Sequence, residues 1–247
     1  DWVYIDWADM DKDGPLCAEQ MLYAACFAAM AKISEQLGKD GSSYRCEYEK
    51  LTAAIEKFFW DEEKGAYIDS FTSGRRNVTR HANIFAVLFS IADEAKQEKI
   101  LANVLENDAI PAITTPYFNF FELDVLCQMG RLDVVLDKLR SYWGGMLDLG
   151  AVTFWEEYDP SVPKEEQYDM YGDHFGKSLC HAWAASPIYF LARYFVGLDL
   201  VNKEGASYVL RPQLQYFADL DCTLPVGDHG TVRLVWDGEY LEVTADA

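Results

Sequence analysis

The chain has 247 residues, half of them hydrophobic and 15% aromatic, with 21 Lys and Arg against 41 Asp and Glu for a formal charge of -20. That length and hydrophobicity suffice for one large domain, or a large domain with a small appendage, and exclude a disordered chain. The negative charge repels phosphate backbones and anionic headgroups, which excludes nucleic acid and membrane surfaces as partners and favours neutral ligands.

Residues 1–16 read as an extended leading segment, with Trp2, Tyr4 and Trp7, a polar loop from Asp6 to Asp11, and a stop at Gly14-Pro15. The chain begins inside this aromatic stretch and not at Met, so it reads as a fragment with any targeting signal outside it. An Ala-rich helix is expected over residues 16–37, stopped by Gly38, and a second over 46–60 through Leu51, Ile55, Phe58 and Phe59. A short strand or hairpin at 66–69 follows. Residues 84–91 are almost wholly apolar, whereas 94–106 are amphipathic and charged. The same pairing recurs in 117–129, aromatic-rich, and 132–142, which carries Asp133, Asp137, Lys138 and Arg140. A helix apolar all round is buried and one with a polar face lies at the surface, so the helices alternate between an inner and an outer layer. One more inner helix is expected over 181–195. From Ser207 the period becomes two, and 207–210, 221–224, 231–236 and 239–243 read as strands, with Asp237-Gly238 as a two-residue hairpin turn.

About seven helices in inner and outer pairs, then strands, predict a mainly α chain: a partial double-layered toroid over 1–200 and a small antiparallel β module over 201–247. A complete six-pair toroid needs twelve helices, so more than half of the ring is present. Cys17, Cys26, Cys46, Cys127, Cys180 and Cys222 form no CxxC pair and read as free thiols, which favours a reducing, cytoplasmic compartment without fixing it. No run of 18 apolar residues occurs; the longest candidate, 182–198, is broken by Pro187 and Arg193.

Two stretches carry chemistry. The first is Gly150-Ala151-Val152-Thr153-Phe154-Trp155-Glu156-Glu157, in a loop between an outer and an inner helix. Glycosidic hydrolysis needs two carboxyl groups, and an adjacent tryptophan offers a stacking face or a wall that shifts a carboxylate's pKa. In a chain this acidic the plain alternative is a solvated loop. The second is Ser178-Leu179-Cys180-His181-Ala182-Trp183, where His181 can meet a sugar hydroxyl and Trp183 its apolar face; the alternative is a core histidine capping its helix with Ser178. Tyr117, Phe118, Phe120 and Phe121 read as core, with the preceding loop 113–116 able to reach the mouth of the ring. Gly176-Lys177-Ser178 fails as a phosphate loop because Tyr171 stands where glycine is required and no strand precedes it. His81, His174, His181 and His229 lack metal-ligand spacing, Asp169, Asp173 and His174 read as a solvated loop, and no cofactor is called for.

Together, 150–156 and 178–183, with Pro187 and Gly197, resemble the C-terminal half of the catalytic domain of bacterial α-L-rhamnosidases, whose pattern is Gly-Ala-Thr-Thr-x-Trp-Glu followed by Ser-x-x-His-Ala-Trp. The likeness extends to Asp6-Trp7, Thr115-Pro116-Tyr117-Phe118, Trp143-Gly144-Gly145-Met146-Leu147 and the terminal β module. The resemblance implies an (α/α)6 toroid with a C-terminal β-sandwich module and an inverting hydrolase acting on a rhamnose-containing oligosaccharide, polysaccharide or glycoside. It implies Glu156 as general base, and His181, Trp183, Trp155, Asp6 and Trp7 as substrate-binding residues. Val152 departs mildly from the pattern. A larger departure is that the family's Asp-x-x-x-Arg-x-Glu motif, which carries the general acid, does not occur here, so the missing N-terminal part of the polypeptide is expected to supply it. Competing readings are another (α/α)6 inverting glycosidase, for fucosides or glucosides, and a non-catalytic carbohydrate-binding toroid. A metal-dependent lyase is a distant third.

Overall fold

The computed structural model describes residues 3–202 and 207–246. Asp1 and Trp2 of the expected leading segment, and residues 203–206 and 247 of the expected β module, lie outside the described residues.

α1 spans Cys17–Gln36 and α2 Ser42–Phe59, close to the expected 16–37 and 46–60. They form an antiparallel hairpin, and a two-stranded ribbon follows, β1 (Trp60–Asp61) paired with β2 (Ala66–Tyr67). α3 (Arg80–Leu88) starts four residues before the apolar run and is buried from Arg80 to Val87. α4 (Glu94–Ile100) is capped by Asp93, whose carboxylate accepts from the Lys96 N–H, and continues as a π-helical turn, Leu101–Leu105. α5 (Pro116–Gln128) has proline in its first turn and Thr115 as its cap, accepting from the Phe118 N–H at 3.2 Å. α6 (Leu132–Lys138), a π-helical turn (Leu139–Trp143) and α7 (Gly144–Asp148) run on without a break. α8 (Ser186–Phe190) extends through another π turn, Leu191–Phe195.

The expected helix over 181–195 needs correction. His181 is extended, with φ -125° and ψ 115°, and a 3-10 turn at Ala182–Ala184 precedes α8. Pro187 is the cause: it offers no N–H to a preceding turn and its ring disfavours helical geometry before it, so the regular helix starts beside it.

α1 packs on α3, α3 on α5 and α5 on α8, with α2, the continuation of α4, and α6 behind them. These inner and outer pairs are a partial helical toroid. The layers are locked by Glu122 of α5, fully buried, which pairs with Arg80 of α3 and Lys138 of α6. Burial alone would raise this carboxyl, but Lys138 and Arg80 outweigh it and hold it below its usual range. Arg80 also donates to the carbonyl of Leu105 at 2.8 Å and of Pro111 at 3.2 Å, satisfying the end of the α4 continuation.

Apolar side chains stay uncovered at both ends of this partial ring. On α1, Leu22, Tyr23, Met30 and Ile33 are exposed. At the other end an apolar cavity of about 560 Å³ lies among Leu139, Trp143, Met146, Leu147, Val152 and Pro187. Glu156, His181 and Trp183 do not line it.

The β part begins earlier than the sequence suggests. β3 (Leu198–Asn202), a strand the periodicity did not reveal, pairs antiparallel with β4 (Ser207–Leu210). β5 (Leu220–Val226), β6 (Gly230–Trp236) and β7 (Leu241–Asp246) form a three-stranded antiparallel sheet around Val232 and Leu234. The turn between β6 and β7 is longer than two residues: Trp236 pairs with Leu241, and the Asp237 carboxylate accepts from the N–H groups of Glu239 and Tyr240. An aspartate that folds its side chain onto the following backbone stabilises this wider turn.

Candidate active site

Two distant motifs meet through backbone hydrogen bonds between the loops that carry them. The Glu156 N–H donates to the Ser178 carbonyl at 2.9 Å and the His181 N–H to the Phe154 carbonyl at 2.8 Å. The neighbours Trp155, Glu156 and Glu157 then make separate contacts. Trp155 is buried, edge-on to Tyr168 at 5.5 Å. The Glu157 carboxylate lies 3.6 Å from Nζ of the buried Lys177; burial pushes its pKa up, against the pull of Lys177.

Glu156 is 7% exposed, and both its oxygens are held by neutral donors. The Ser178 N–H donates to Oε2 at 2.9 Å, and the Tyr171 hydroxyl donates to Oε1 at 3.2 Å. Trp183 is fixed to the same residue, its indole N–H donating to the Glu156 backbone carbonyl at 3.0 Å. His181, one-third exposed, packs on Trp183 with ring centroids 4.5 Å apart and holds Nδ1 3.9 Å from Glu156 Oε2, beyond hydrogen-bond reach. Trp7 meets Trp183 at 5.3 Å and Tyr171 at 6.1 Å, both edge-on, while Tyr117 stacks on Trp183 at 5.3 Å. A carboxylate thus sits beside a half-exposed cluster of aromatic rings, the kind of surface on which the apolar face of a pyranose can stack.

Asp6 stands behind this pocket. It is 3% exposed; Thr115 Oγ1 donates to its Oδ1 at 2.6 Å, and His81 Nε2 meets its Oδ2 at 2.9 Å. Thr115 caps α5, and His81 lies in the first turn of α3 with Nδ1 on Thr79 Oγ1 at 3.3 Å. Asp6 therefore ties the segment bearing Trp7 to the starts of two inner helices. Of the six residues singled out from the sequence, Glu156, His181, Trp183 and Trp7 come together, whereas Asp6 and Trp155 are buried behind them.

Two residues of the pocket escaped the sequence reading. Tyr117 sits in an aromatic run that reads as core; Phe118 is indeed fully buried, yet Tyr117 turns out onto Trp183. Tyr171 lies at the tip of a tight turn in which Met170 and Asp173 exchange two hydrogen bonds of 3.0 Å. Tyr171 and Gly172 have φ of 56° and 80°, the mirror-image turn geometry that favours Asn-Gly. A non-glycine residue with a side chain this large is strained there by about 1–3 kcal/mol. The Tyr-Gly dipeptide was the available signal. The rest of the loop is held closely: a Cβ on Gly176 would come within 2.1 Å of the Met170 carbonyl oxygen. His174 and Asp169 pair with each other at the surface of this loop.

Residues 1–195 match the family described as the bacterial alpha-L-rhamnosidase six-hairpin glycosidase domain. The chain belongs to that family. Among solved structures it is similar to a GH78 family rhamnosidase of Bacillus sp. GL1, with a TM-score of 0.85 at 24% identity, covering 99% of this chain and 26% of that one. It is also similar to a rhamnosidase from Klebsiella oxytoca with rhamnose bound, with a TM-score of 0.66 at 31% identity, covering 78% of this chain and 36% of that one. A third is the Streptomyces avermitilis alpha-L-rhamnosidase complexed with L-rhamnose, with a TM-score of 0.69 at 18% identity, covering 97% of this chain and 23% of that one. The chain thus spans about a quarter to a third of the length of these proteins. No curated protein matches it.

Proposed function

We propose that this chain is the base-bearing part of an inverting glycoside hydrolase that cleaves terminal α-L-rhamnosides. The observation that carries the reading is the Glu156 carboxylate, held by Ser178 and Tyr171 beside the half-exposed rings of Trp7, Trp183, Tyr117 and His181. In this reading Glu156 deprotonates the attacking water. Trp183 and Trp7 face the sugar, His181 meets one of its hydroxyls, and Asp6 and Trp155 hold these groups in place from behind.

An inverting enzyme needs a second carboxyl group roughly 6.5–9.5 Å from the first, acting as acid. Asp6 is engaged by Thr115 and His81, and Glu157 by Lys177. The resemblance, whose acid-bearing Asp-x-x-x-Arg-x-Glu motif does not occur in this chain, supports placing the general acid elsewhere in the polypeptide. Rhamnose bound to two of the similar proteins supports the sugar identity.

The test is hydrolysis of aryl α-L-rhamnoside by the full-length protein, followed by proton NMR in the first minutes. β-L-Rhamnose as first product agrees with inversion; α-L-rhamnose refutes it. Faster cleavage of aryl fucoside or glucoside would assign the pocket to another sugar, and binding of L-rhamnose without turnover would make the toroid a carbohydrate-binding module.

A further inference from the structure

The geometry points to Tyr171 as a positioning residue for Glu156 and as the wall that closes the sugar pocket beside Trp7. This deepens the reading above and rests on Glu156 being the base.

Tyr171 is 74% exposed, so it contributes little to the core, yet it occupies a left-handed position that suits Asn or Gly far better. A strained, exposed tyrosine at the tip of a two-residue turn is not explained by stability. Its contacts supply the reason: the hydroxyl donates to Glu156 Oε1, and the ring lies edge-on to Trp7. The surrounding loop is fixed enough to aim it. Met170 and Asp173 close the turn, the Gly176 N–H donates to the Asp173 carbonyl at 3.1 Å, and the Lys177 N–H to the Tyr168 carbonyl at 3.2 Å. Lys177 then reaches Glu157 at the loop's base.

Each Glu156 oxygen accepts one hydrogen bond, Oε2 from the Ser178 N–H and Oε1 from the Tyr171 hydroxyl, and each keeps a lone pair for the water to be deprotonated. The phenol occupies one side of Oε1 and so fixes how the carboxylate is turned. A phenol that is hard to ionise suits a donor's role, and the Tyr171 hydroxyl is raised by lost hydration and then by the charge of Glu156. Removing the hydroxyl costs orientation of the base, while removing the ring costs contact with the sugar.

The experiment uses the full-length protein and aryl α-L-rhamnoside. Tyr171→Phe keeps the ring and is expected to lower kcat about tenfold with KM within about threefold. Tyr171→Asn loses both groups but relaxes the turn: kcat falls at least as far, KM rises about fivefold or more, and the melting midpoint stays equal or rises. A purely structural turn residue gives the opposite pattern, in which Tyr171→Asn melts earlier or Tyr171→Phe keeps wild-type kcat and KM; either result overturns the assignment. Glu156→Gln in the same assay separates the two levels. If Glu156→Gln is inactive while the Tyr171 variants behave as wild type, only the role of Tyr171 falls. If Glu156→Gln stays active, the reading of Glu156 falls and takes this one with it.

Discussion

Glu122, between α3, α5 and α6, and Glu156, at the pocket, are 0% and 7% exposed, and each accepts from two donors. By burial and hydrogen-bond count they are nearly equivalent. They differ in the charge of the donors. Glu122 meets a guanidinium and an ammonium, which hold it ionised and occupy its oxygens inside the core. Glu156 meets a backbone N–H and a phenol, and among the described residues no Lys or Arg pairs with it. A carboxylate saturated by cations inside the core is a cross-link, whereas one held by neutral donors beside half-exposed rings is not tied to any counter-charge.

The comparison breaks most visibly at Glu156. Glu156→Gln in the full-length protein is expected to lose at least about 10³-fold in rate, some 4 kcal/mol of transition-state stabilisation, with its melting midpoint nearly unchanged. Equal and small losses on replacing Glu156 and Glu157 would remove Glu156 from the mechanism. Glu122→Ala is expected to do the reverse: about 3–5 kcal/mol of stability lost in urea unfolding, because Arg80 and Lys138 lose a buried counter-charge, with the rate per folded molecule unchanged. The pH dependence has a definite sign. The Glu122 carboxyl is held below its usual value, so its stabilisation is complete above the unfolded value of about 4.3 and is lost as pH falls through the lower folded value. The urea midpoint should fall in acid below about pH 4, and Glu122→Gln should remove that group's share of the decline. A decline identical in both proteins would show that Glu122 is not the cross-link.

The layered helices were legible because their burial follows composition: the apolar run at 84–91 begins inside α3, where Ile84 to Val87 are buried, though it outruns the helix past Leu88, and the charged helix beginning at Glu94 became an outer one. The convergence of Glu156 with His181 and Trp183 was anticipated only through paired motifs, since the backbone pairing of 154–156 with 178–181 leaves no periodic trace in so short a stretch. Trp155 shows the limit. Its proximity to Glu156 in sequence suggested a wall or stacking face for a sugar, but its ring is buried against Tyr168. Tyr117 shows the converse, because a run of four aromatic residues on a helix hides which one turns away from the core. Tyr171 was invisible for another reason: its role depends on a turn conformation that its side chain disfavours, and sequence propensity is silent where structure overrides it.

The smallest effect is expected at Glu157, the residue that sequence alone cannot tell from Glu156. Burial raises its carboxyl, which means that the fold disfavours its ionised form even though Lys177 lies 3.6 Å away. A neutral Gln side chain escapes that desolvation and still offers an oxygen to the Lys177 ammonium. The two changes offset each other, so Glu157→Gln should alter stability by no more than about 1 kcal/mol. Its carboxylate pairs with Lys177 and neither hydrogen bond to the Glu156 oxygens depends on it, so the rate should fall by less than about threefold. Assaying Glu157→Gln for kcat, KM and melting midpoint beside Glu156→Gln checks both statements at once. A loss at Glu157 as large as that at Glu156 would mean that the raised carboxyl takes part in proton transfer, and the pairing with Lys177 would no longer mark Glu157 as support.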